Sequence, residues 1–136
     1  MRVKLDPGAY PPERAYTTDA GLDIRLPHGG LVRAGQSRTF ATGVHVELPE
    51  GTVGLLLPKS GLMVAHDIMC FGVIDEGYTG QIMAHVYNHG PNDYEFAAGD
   101  KVTQLVVVPC RYEAVEIVDE ISGGERRGAG FGSTGK

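Results

Sequence analysis

Two segments of the chain place charged side chains beside glycine in a way that suits phosphate chemistry. Asp23 lies behind a glycine at the expected start of a strand. The segment Pro58-Lys59-Ser60-Gly61-Leu62 leads from an apolar strand into a short helical stretch. Because the free N–H groups and the dipole at a helix N-terminus favour bound phosphate, this second segment is a candidate anion site.

Two further segments carry a carboxylate and an amide. Asp75 and Tyr78 lie three residues apart in a glycine-bounded turn, residues 72–80. Gln104 lies within an apolar strand, where a buried amide needs a hydrogen-bonding partner. Each residue also has an ordinary interpretation, since a single aspartate is more often a turn residue and a single glutamine a solvated strand residue.

The last fourteen residues, 123–136, differ in composition from the rest of the chain. Six of them are glycine and Phe131 is the only large apolar side chain, so the segment buries too little surface to order by itself. It is therefore a mobile tail or an arm that orders over a ligand. Phe131 could stack on a base, residues 132–135 could form an anion cradle, and Arg126 could bind phosphate.

The elements that must position these residues are short strands. Apolar and β-branched runs predict strands at 39–41, 44–48, 52–57, 81–87, 102–108 and 114–118. The run 102–108 is nearly continuous, as in a strand covered on both faces. The best helix candidate, 60–66, is about two turns long. With regular glycine and proline turns between them, these runs predict one all-β domain: a β-sandwich, a jelly roll or a small barrel.

Composition narrows the class of protein. A chain of 136 residues with 42% apolar and 21% charged residues fits one soluble domain. It has no run of about 18 apolar residues and no N-terminal stretch typical of a signal peptide, so we expect a cytoplasmic protein without membrane contact. The net charge of −5 argues against direct nucleic-acid binding but allows a small anionic ligand. Cys70 and Cys110 are predicted to be small buried side chains rather than a disulfide or a nucleophile.

Taken in order, the five segments resemble the motifs of the homotrimeric dUTPase family, AGxD, P(R/K)SGL, GxIDxxYxG, GDxxxQL and R…GFGSTG. The resemblance implies a distorted jelly-roll barrel or sandwich over residues 1–122 and a mobile arm, residues 123–136. The arm would close over active sites that three identical subunits share. The implied reaction is Mg²⁺-dependent hydrolysis of dUTP to dUMP and pyrophosphate, which limits uracil incorporation into DNA and supplies dUMP for dTMP synthesis.

Residue roles follow from the same resemblance. Asp75 resembles the catalytic carboxylate that orients and activates water at the α-phosphorus. Tyr78 resembles the tyrosine packed under the deoxyribose, which excludes a ribose 2′-OH. The implied uracil slot consists of the backbone of Gly72, Val73 and Ile74 together with Met83.

The remaining implied roles concern phosphate, the base and the metal. Asp23 would contact Mg²⁺ through water, because Mg²⁺ dehydrates reluctantly and the triphosphate would hold most of it. Phe131 would stack on uracil. The implied phosphate-binding residues are Lys59, Ser60, Gly61, Gln104, Arg126, Gly132, Ser133 and Thr134.

Several alternatives remain open. Lys59 stands where arginine is commoner and would act as a point charge, and Arg127 competes with Arg126 as the arginine of the arm. The asparagine often found near the uracil slot has no counterpart. A dCTP deaminase-like enzyme shares the scaffold but needs a glutamate general base in place of the tyrosine-bearing turn. A nucleotide-sensing regulatory protein, or an enzyme with an additional regulatory protein partner, would also fit the scaffold.

Overall fold

The computed structural model describes residues 1–124, and ten strands with one helix make up its regular structure. In chain order the elements are β1 (Arg2–Leu5), β2 (Gly21–Arg25), β3 (Gly30–Val32), β4 (Ser37–Glu47), β5 (Thr52–Leu57), α1 (Ser60–His66), β6 (Ile68–Cys70), β7 (Gly72–Ile74), β8 (Gln81–Asn88), β9 (Tyr94–Phe96) and β10 (Lys101–Pro109).

Two four-stranded sheets dominate the architecture. Their strand orders are β1-β4-β8-β6 and β2-β10-β5-β7, and β3 pairs with β9 in a small ribbon. Every pairing is antiparallel, and within residues 1–124 neither large sheet closes on itself. The all-β prediction with one short helix is therefore confirmed.

The two sheets share one apolar core. Along β8 the side chains alternate, so that Ile82, Ala84 and Val86 are fully buried while Met83 is exposed. Leu105 of β10 belongs to the same buried cluster. Both sheets are therefore fixed by packing, which gives the loops at their ends a rigid base.

The two cysteines have different surroundings. Cys70 is buried in this core, as predicted, whereas Cys110 is only half-buried. The prediction for Cys110 was wrong because it lies just beyond the end of β10, where the sheet no longer covers it.

Strand β4 joins two runs that the sequence presents separately. Gly43 has φ +69, a left-handed conformation that glycine adopts without strain. The pairing of β4 with β8 shifts register between Ala41 and His45 around this residue, as in a β-bulge. The glycine between the runs 39–41 and 44–48 therefore marks an irregularity inside one strand rather than a break between two.

Helix α1 follows the prediction for residues 60–66 without change. Lys59 precedes it in an extended conformation, and Asp67 ends it in the left-handed region at φ 53. Within residues 1–124 no helix is long and apolar enough to cross a membrane.

Strand predictions had mixed outcomes. The runs 52–57, 81–87 and 102–108 are confirmed as β5, β8 and β10. The predicted strand 114–118 is wrong: the segment forms no strand, and Val115 and Ile117 are 92% and 95% exposed. Its alternating pattern favours a sheet, but no strand among residues 1–124 pairs with it. Strands β1, β3, β6, β7 and β9 were not predicted. The predicted turn over residues 72–80 is wrong in its first part, because Gly72–Ile74 pairs with β5 as strand β7.

Candidate functional site

Sheet register brings three of the predicted segments together. Gln104 on the central strand β10 faces Asp23 of β2 on one side and Leu57 of β5 on the other. Leu57 is followed by Pro58 and Lys59, where the chain leaves the sheet and enters α1. The acid, the amide and the lysine therefore meet at one end of this sheet.

A buried acid at this end is paired with two lysines. Asp23 is 6% exposed. Its Oδ1 accepts a hydrogen bond from Lys59 Nζ, and its Oδ2 lies 2.6 Å from Lys101 Nζ. Sequence reasoning missed Lys101, because β2 and β10 are far apart in the chain and only the fold pairs them.

The two lysines set the charge state of Asp23. Burial alone raises the pKa of this carboxyl group, but the hydrogen bonds from Lys101 and Lys59 outweigh it, and the pKa lies below its ordinary value. Asp23 is therefore ionised at neutral pH. It holds Lys59 beside the start of α1.

Side chains of β10 hold the loop that carries Lys59. Gln104 Nε2 donates to the carbonyl of Pro58 at 3.1 Å, and Thr103 Oγ1 donates to the carbonyl of Leu57 at 2.8 Å. The hydrogen-bonding partner expected for Gln104 is therefore the carbonyl of Pro58 in this loop. Since the first intrahelical bond runs from Met63 N–H to the Lys59 carbonyl at 2.9 Å, the N–H groups of residues 60–62 have no acceptor within the helix.

The turn between β7 and β8 carries the predicted catalytic acid. Tyr78 N–H donates to the Asp75 carbonyl at 3.0 Å and closes the turn. Tyr78 Oη donates to the Gln81 carbonyl at 2.8 Å, which fixes the ring against Gly80. Asp75 itself is exposed, and within residues 1–124 its carboxylate makes no hydrogen bond or ion pair.

Strand β7 has the position that a backbone recognition site needs. It lies at the edge of its sheet and pairs only with β5 within the described chain, so part of its N–H and C=O groups faces outward. The Ile74 side chain is buried in the core, whereas Val73 is 64% exposed. Gly72 is half-buried and Met83 exposed.

The two groups of predicted residues lie apart within one chain. Ile74 pairs with Gly54, near the start of β5, whereas Gln104 pairs with Leu57 at its end. Asp75, one residue beyond Ile74, is therefore about four strand positions from Leu57, or about 13 Å along the sheet. The structure brings Asp23, Lys59 and Gln104 together and leaves Asp75 and Tyr78 at the opposite end.

Comparison with known proteins identifies the family. A sequence model described as dUTPase matches residues 9–135. The chain belongs to the dUTPase family. A deoxyuridine 5′-triphosphate nucleotidohydrolase of Clostridium acetobutylicum is 39% identical over 135 residues, which cover 97% of this chain and 93% of that protein.

Solved dUTPase structures show the same fold. The Staphylococcus bacteriophage 80alpha dUTPase with dUPNHPP superposes with a TM-score of 0.92 at 30% identity, covering 99% of this chain and 98% of that one. A point mutant of the dUTPase from phage phi11 of S. aureus, described with a structural Mg(II) ion, gives a TM-score of 0.81 at 28% identity, covering 88% and 96%. The jelly-roll prediction is thereby confirmed.

Five of the predicted dUTPase site residues lie outside the described part of the chain. They belong to the C-terminal segment, of which the structure describes only Gly123 and Gly124. The five are Arg126, Phe131, Gly132, Ser133 and Thr134.

The described residues fit a metal that is bound through water, not one that is held directly by protein ligands. Among residues 1–124 no three His, Cys, Asp or Glu side chains converge on a point that could hold an ion, and both oxygens of Asp23 are engaged by lysines. A metal held directly by protein ligands therefore does not fit this part of the chain. A metal that arrives with a triphosphate fits, since it needs only one carboxylate in its outer shell.

Proposed function

We propose that the protein hydrolyses dUTP to dUMP and pyrophosphate, with Asp75 as the catalytic carboxylate. The observation that carries the proposal is the β7–β8 turn, which holds an exposed carboxylate with no partner in residues 1–124 three residues from a fixed aromatic ring. A water oxygen attacks the α-phosphorus as the bond to the bridging oxygen breaks. Pyrophosphate leaves, and Asp75 accepts the proton of the water.

Tyr78 selects the sugar in this proposal. Its ring is restrained, because its hydroxyl is bonded to the Gln81 carbonyl and the hydroxyl end of the ring lies against Gly80. A ring fixed under the deoxyribose leaves no room for a 2′-hydroxyl. We therefore expect dUTP to be a far better substrate than UTP.

Backbone groups of β7 read the base. An edge strand presents rigid N–H and C=O groups, and a base with the wrong donor–acceptor pattern would leave these groups unpaired, which is costly in a dry slot. Gly72, Val73 and Ile74 supply the backbone, and the exposed Met83 supplies an apolar wall. The buried Ile74 side chain anchors the strand to the core.

Phosphate binding belongs to the opposite end of the sheet. Lys59 supplies a positive charge, and the free N–H groups of Ser60 and Gly61 supply donors without bulk, since no atom lies within 4 Å of a side chain added at Gly61. Gln104 holds the loop in place. The arm residues Arg126, Phe131, Gly132, Ser133 and Thr134 complete the proposed site around the phosphates and the base.

Mg²⁺ enters this proposal as an ion bound to the triphosphate. When bound, it neutralises charge on the phosphate oxygens and so makes the phosphorus more open to attack. Asp23 would hold one of the waters of the ion. Lys59, beside Asp23, would supply positive charge for the phosphates.

We propose a homotrimer with sites shared between subunits. The separation of Asp75 from Lys59 and Gln104 supports a shared site. One substrate must reach both groups, but within one subunit they lie at opposite ends of the sheet. The exposed apolar residues of the segment after β10, Val115, Ile117 and Ile121, are consistent with burial against a neighbouring subunit.

The deaminase alternative requires a glutamate general base in the tyrosine-bearing turn. Glu76 is the glutamate there, but its carboxylate accepts hydrogen bonds from the Gly51 N–H and the Tyr112 hydroxyl. Incubation with dUTP, dCTP and UTP in the presence of Mg²⁺, followed by product analysis, tests the proposal. We expect dUMP and pyrophosphate from dUTP alone, whereas ammonia from dCTP would contradict the assignment.

A further inference from the structure

Glu76 connects three parts of the chain through one carboxylate oxygen. Its Oε2 accepts a hydrogen bond from Gly51 N–H at 2.8 Å and another from Tyr112 Oη at 2.5 Å. Gly51 belongs to the turn between β4 and β5, and Tyr112 to the segment that leaves β10. The carboxylate therefore joins the β7–β8 turn to two segments that are remote in sequence.

The backbone around Gly51 is arranged to receive this carboxylate. Gly51 has φ +71, a conformation that favours glycine. Its carbonyl accepts a hydrogen bond from Cys110 N–H at 2.8 Å, while its own N–H points to Glu76. Both backbone groups of one residue thus hold the β4–β5 turn against the elements that Glu76 connects.

The protonation states match these donor and acceptor roles. The hydrogen bond from Tyr112, and then that from Gly51, lowers the pKa of Glu76 below its ordinary value. The same bond to Glu76 raises the pKa of Tyr112 to about 12. Near neutral pH the carboxylate is ionised and the phenol keeps its proton, so the bond is charge-assisted, the stronger kind.

The position of Asp75 depends on such support. Within residues 1–124 no side-chain hydrogen bond holds its carboxylate, so its location is set by the backbone of its turn. Tyr78 fixes the later part of the turn through its hydroxyl. Glu76 is the only residue of 75–77 whose side chain makes a hydrogen bond to another segment of the described chain.

We propose that Glu76, held by Tyr112 and Gly51, is a positioning residue for Asp75. The inference rests on the proposed catalytic role of Asp75. Glu76 itself touches no substrate and fixes the backbone from which the catalytic carboxylate projects. Because a misplacement of about 1 Å can cost about 10²-fold in rate, loss of this anchor lowers kcat more than it changes binding.

Steady-state kinetics of three variants test the inference. We expect Tyr112→Phe, which removes one exposed hydroxyl, to lower kcat for dUTP about three- to fivefold, the usual effect of one hydrogen bond. Glu76→Ala should lower kcat about tenfold or more, with KM changed by no more than about twofold. Glu76→Gln, whose amide oxygen can still accept a hydrogen bond, should fall between wild type and Glu76→Ala.

Coupling and controls separate positioning from general destabilisation. The double variant Glu76→Ala/Tyr112→Phe should lose no more activity than Glu76→Ala alone, since both changes remove one interaction. Tyr16→Phe and Glu50→Ala, at exposed positions, should leave kcat within about twofold. Thermal melting of Tyr112→Phe should show an unchanged fold.

Asp75→Asn is measured beside these variants. If it abolishes hydrolysis while Glu76→Ala and Tyr112→Phe keep kcat within about twofold of wild type, the positioning role is overturned and the proposed function stands. Losses that multiply in the double variant overturn it as well. A fully active Asp75→Asn would overturn the proposed function itself, and the inference with it.

Discussion

Replacing Gly80 with alanine tests whether the fixed ring of Tyr78 governs catalysis and sugar selection. An ideal Cβ at Gly80 would lie 2.5 Å from Tyr78 Oη and 2.6 Å from Cζ, whereas ordinary contacts begin at 3.4 Å. Gly80 is not among the residues with positive φ, so alanine imposes no left-handed strain. The substitution therefore acts through the steric clash with Tyr78 and not through backbone strain.

The expected magnitude follows from this distance. The ring must retreat by roughly 1 Å to restore ordinary contact, a shift that also strains the 2.8 Å bond from Tyr78 Oη to the Gln81 carbonyl. A displacement of about 1 Å near the reacting groups can cost about 10²-fold in rate. We therefore expect kcat/KM for dUTP to fall by about 10- to 100-fold.

The assay is the steady-state rate with dUTP and with UTP. We expect the ratio of the two kcat/KM values to narrow in Gly80→Ala, because a displaced ring no longer fills the space under the sugar. Gly77→Ala is the matched control in the same turn, where an added Cβ meets no atom within 4 Å and φ is not positive. A Gly80→Ala enzyme with normal rates and normal discrimination would refute the role given to Tyr78.

Three further predictions concern the catalytic acid, the arm and the buried ion pairs. Asp75→Asn should lower kcat by about 10²–10⁴ while binding of a non-hydrolysable dUTP analogue persists; normal kcat would contradict the mechanism. Deletion of residues 125–136 should leave the melting temperature nearly unchanged and remove most activity; near-normal kcat/KM would make the segment a simple tail. The lowered pKa of Asp23 implies stability that is present above its ordinary pKa of 3.8 and lost as pH falls through the folded-state value. Between pH 7 and pH 2 the melting temperature of Asp23→Asn should therefore fall less steeply than that of wild type. Equal slopes would show that the ion pairs of Asp23 contribute nothing to stability.

Local chemistry made part of this structure predictable. The helix over residues 60–66 was predictable because a serine–glycine start follows an apolar strand and no other segment has helical periodicity. The strands β5, β8 and β10 were predictable because each has five or more residues of apolar or alternating character. The turn with Asp75 and Tyr78 was predictable in part from its bounding glycines, but the predicted turn began too early, since Gly72–Ile74 forms strand β7.

Features that depend on distant segments were not predictable. Three-residue strands such as β3 and β9 are too short to show a period of two and exist because each pairs with the other. Alternation in residues 114–118 indicated two faces but not whether a neighbouring strand exists to pair with them. The contacts of Lys101 and Glu76 likewise join segments that only the fold brings together.

Mixed trimers test the shared site, which is the central proposal for this enzyme. Asp75→Asn and Lys59→Ala should each be nearly inactive as homotrimers, since each lacks one end of every site. The two variants are co-expressed with different tags and purified on both tags, so that in the proposed assembly every recovered trimer contains both kinds of subunit. If Asp75 of one subunit works with Lys59 of a neighbour, one of the three sites in every such trimer keeps both residues.

We predict that these doubly purified trimers hydrolyse dUTP at about one third of the wild-type rate. Activity no higher than that of the two parent variants would show that each site lies within a single chain. The shared site would also be contradicted if no doubly tagged species were recovered and the wild type sedimented as a monomer.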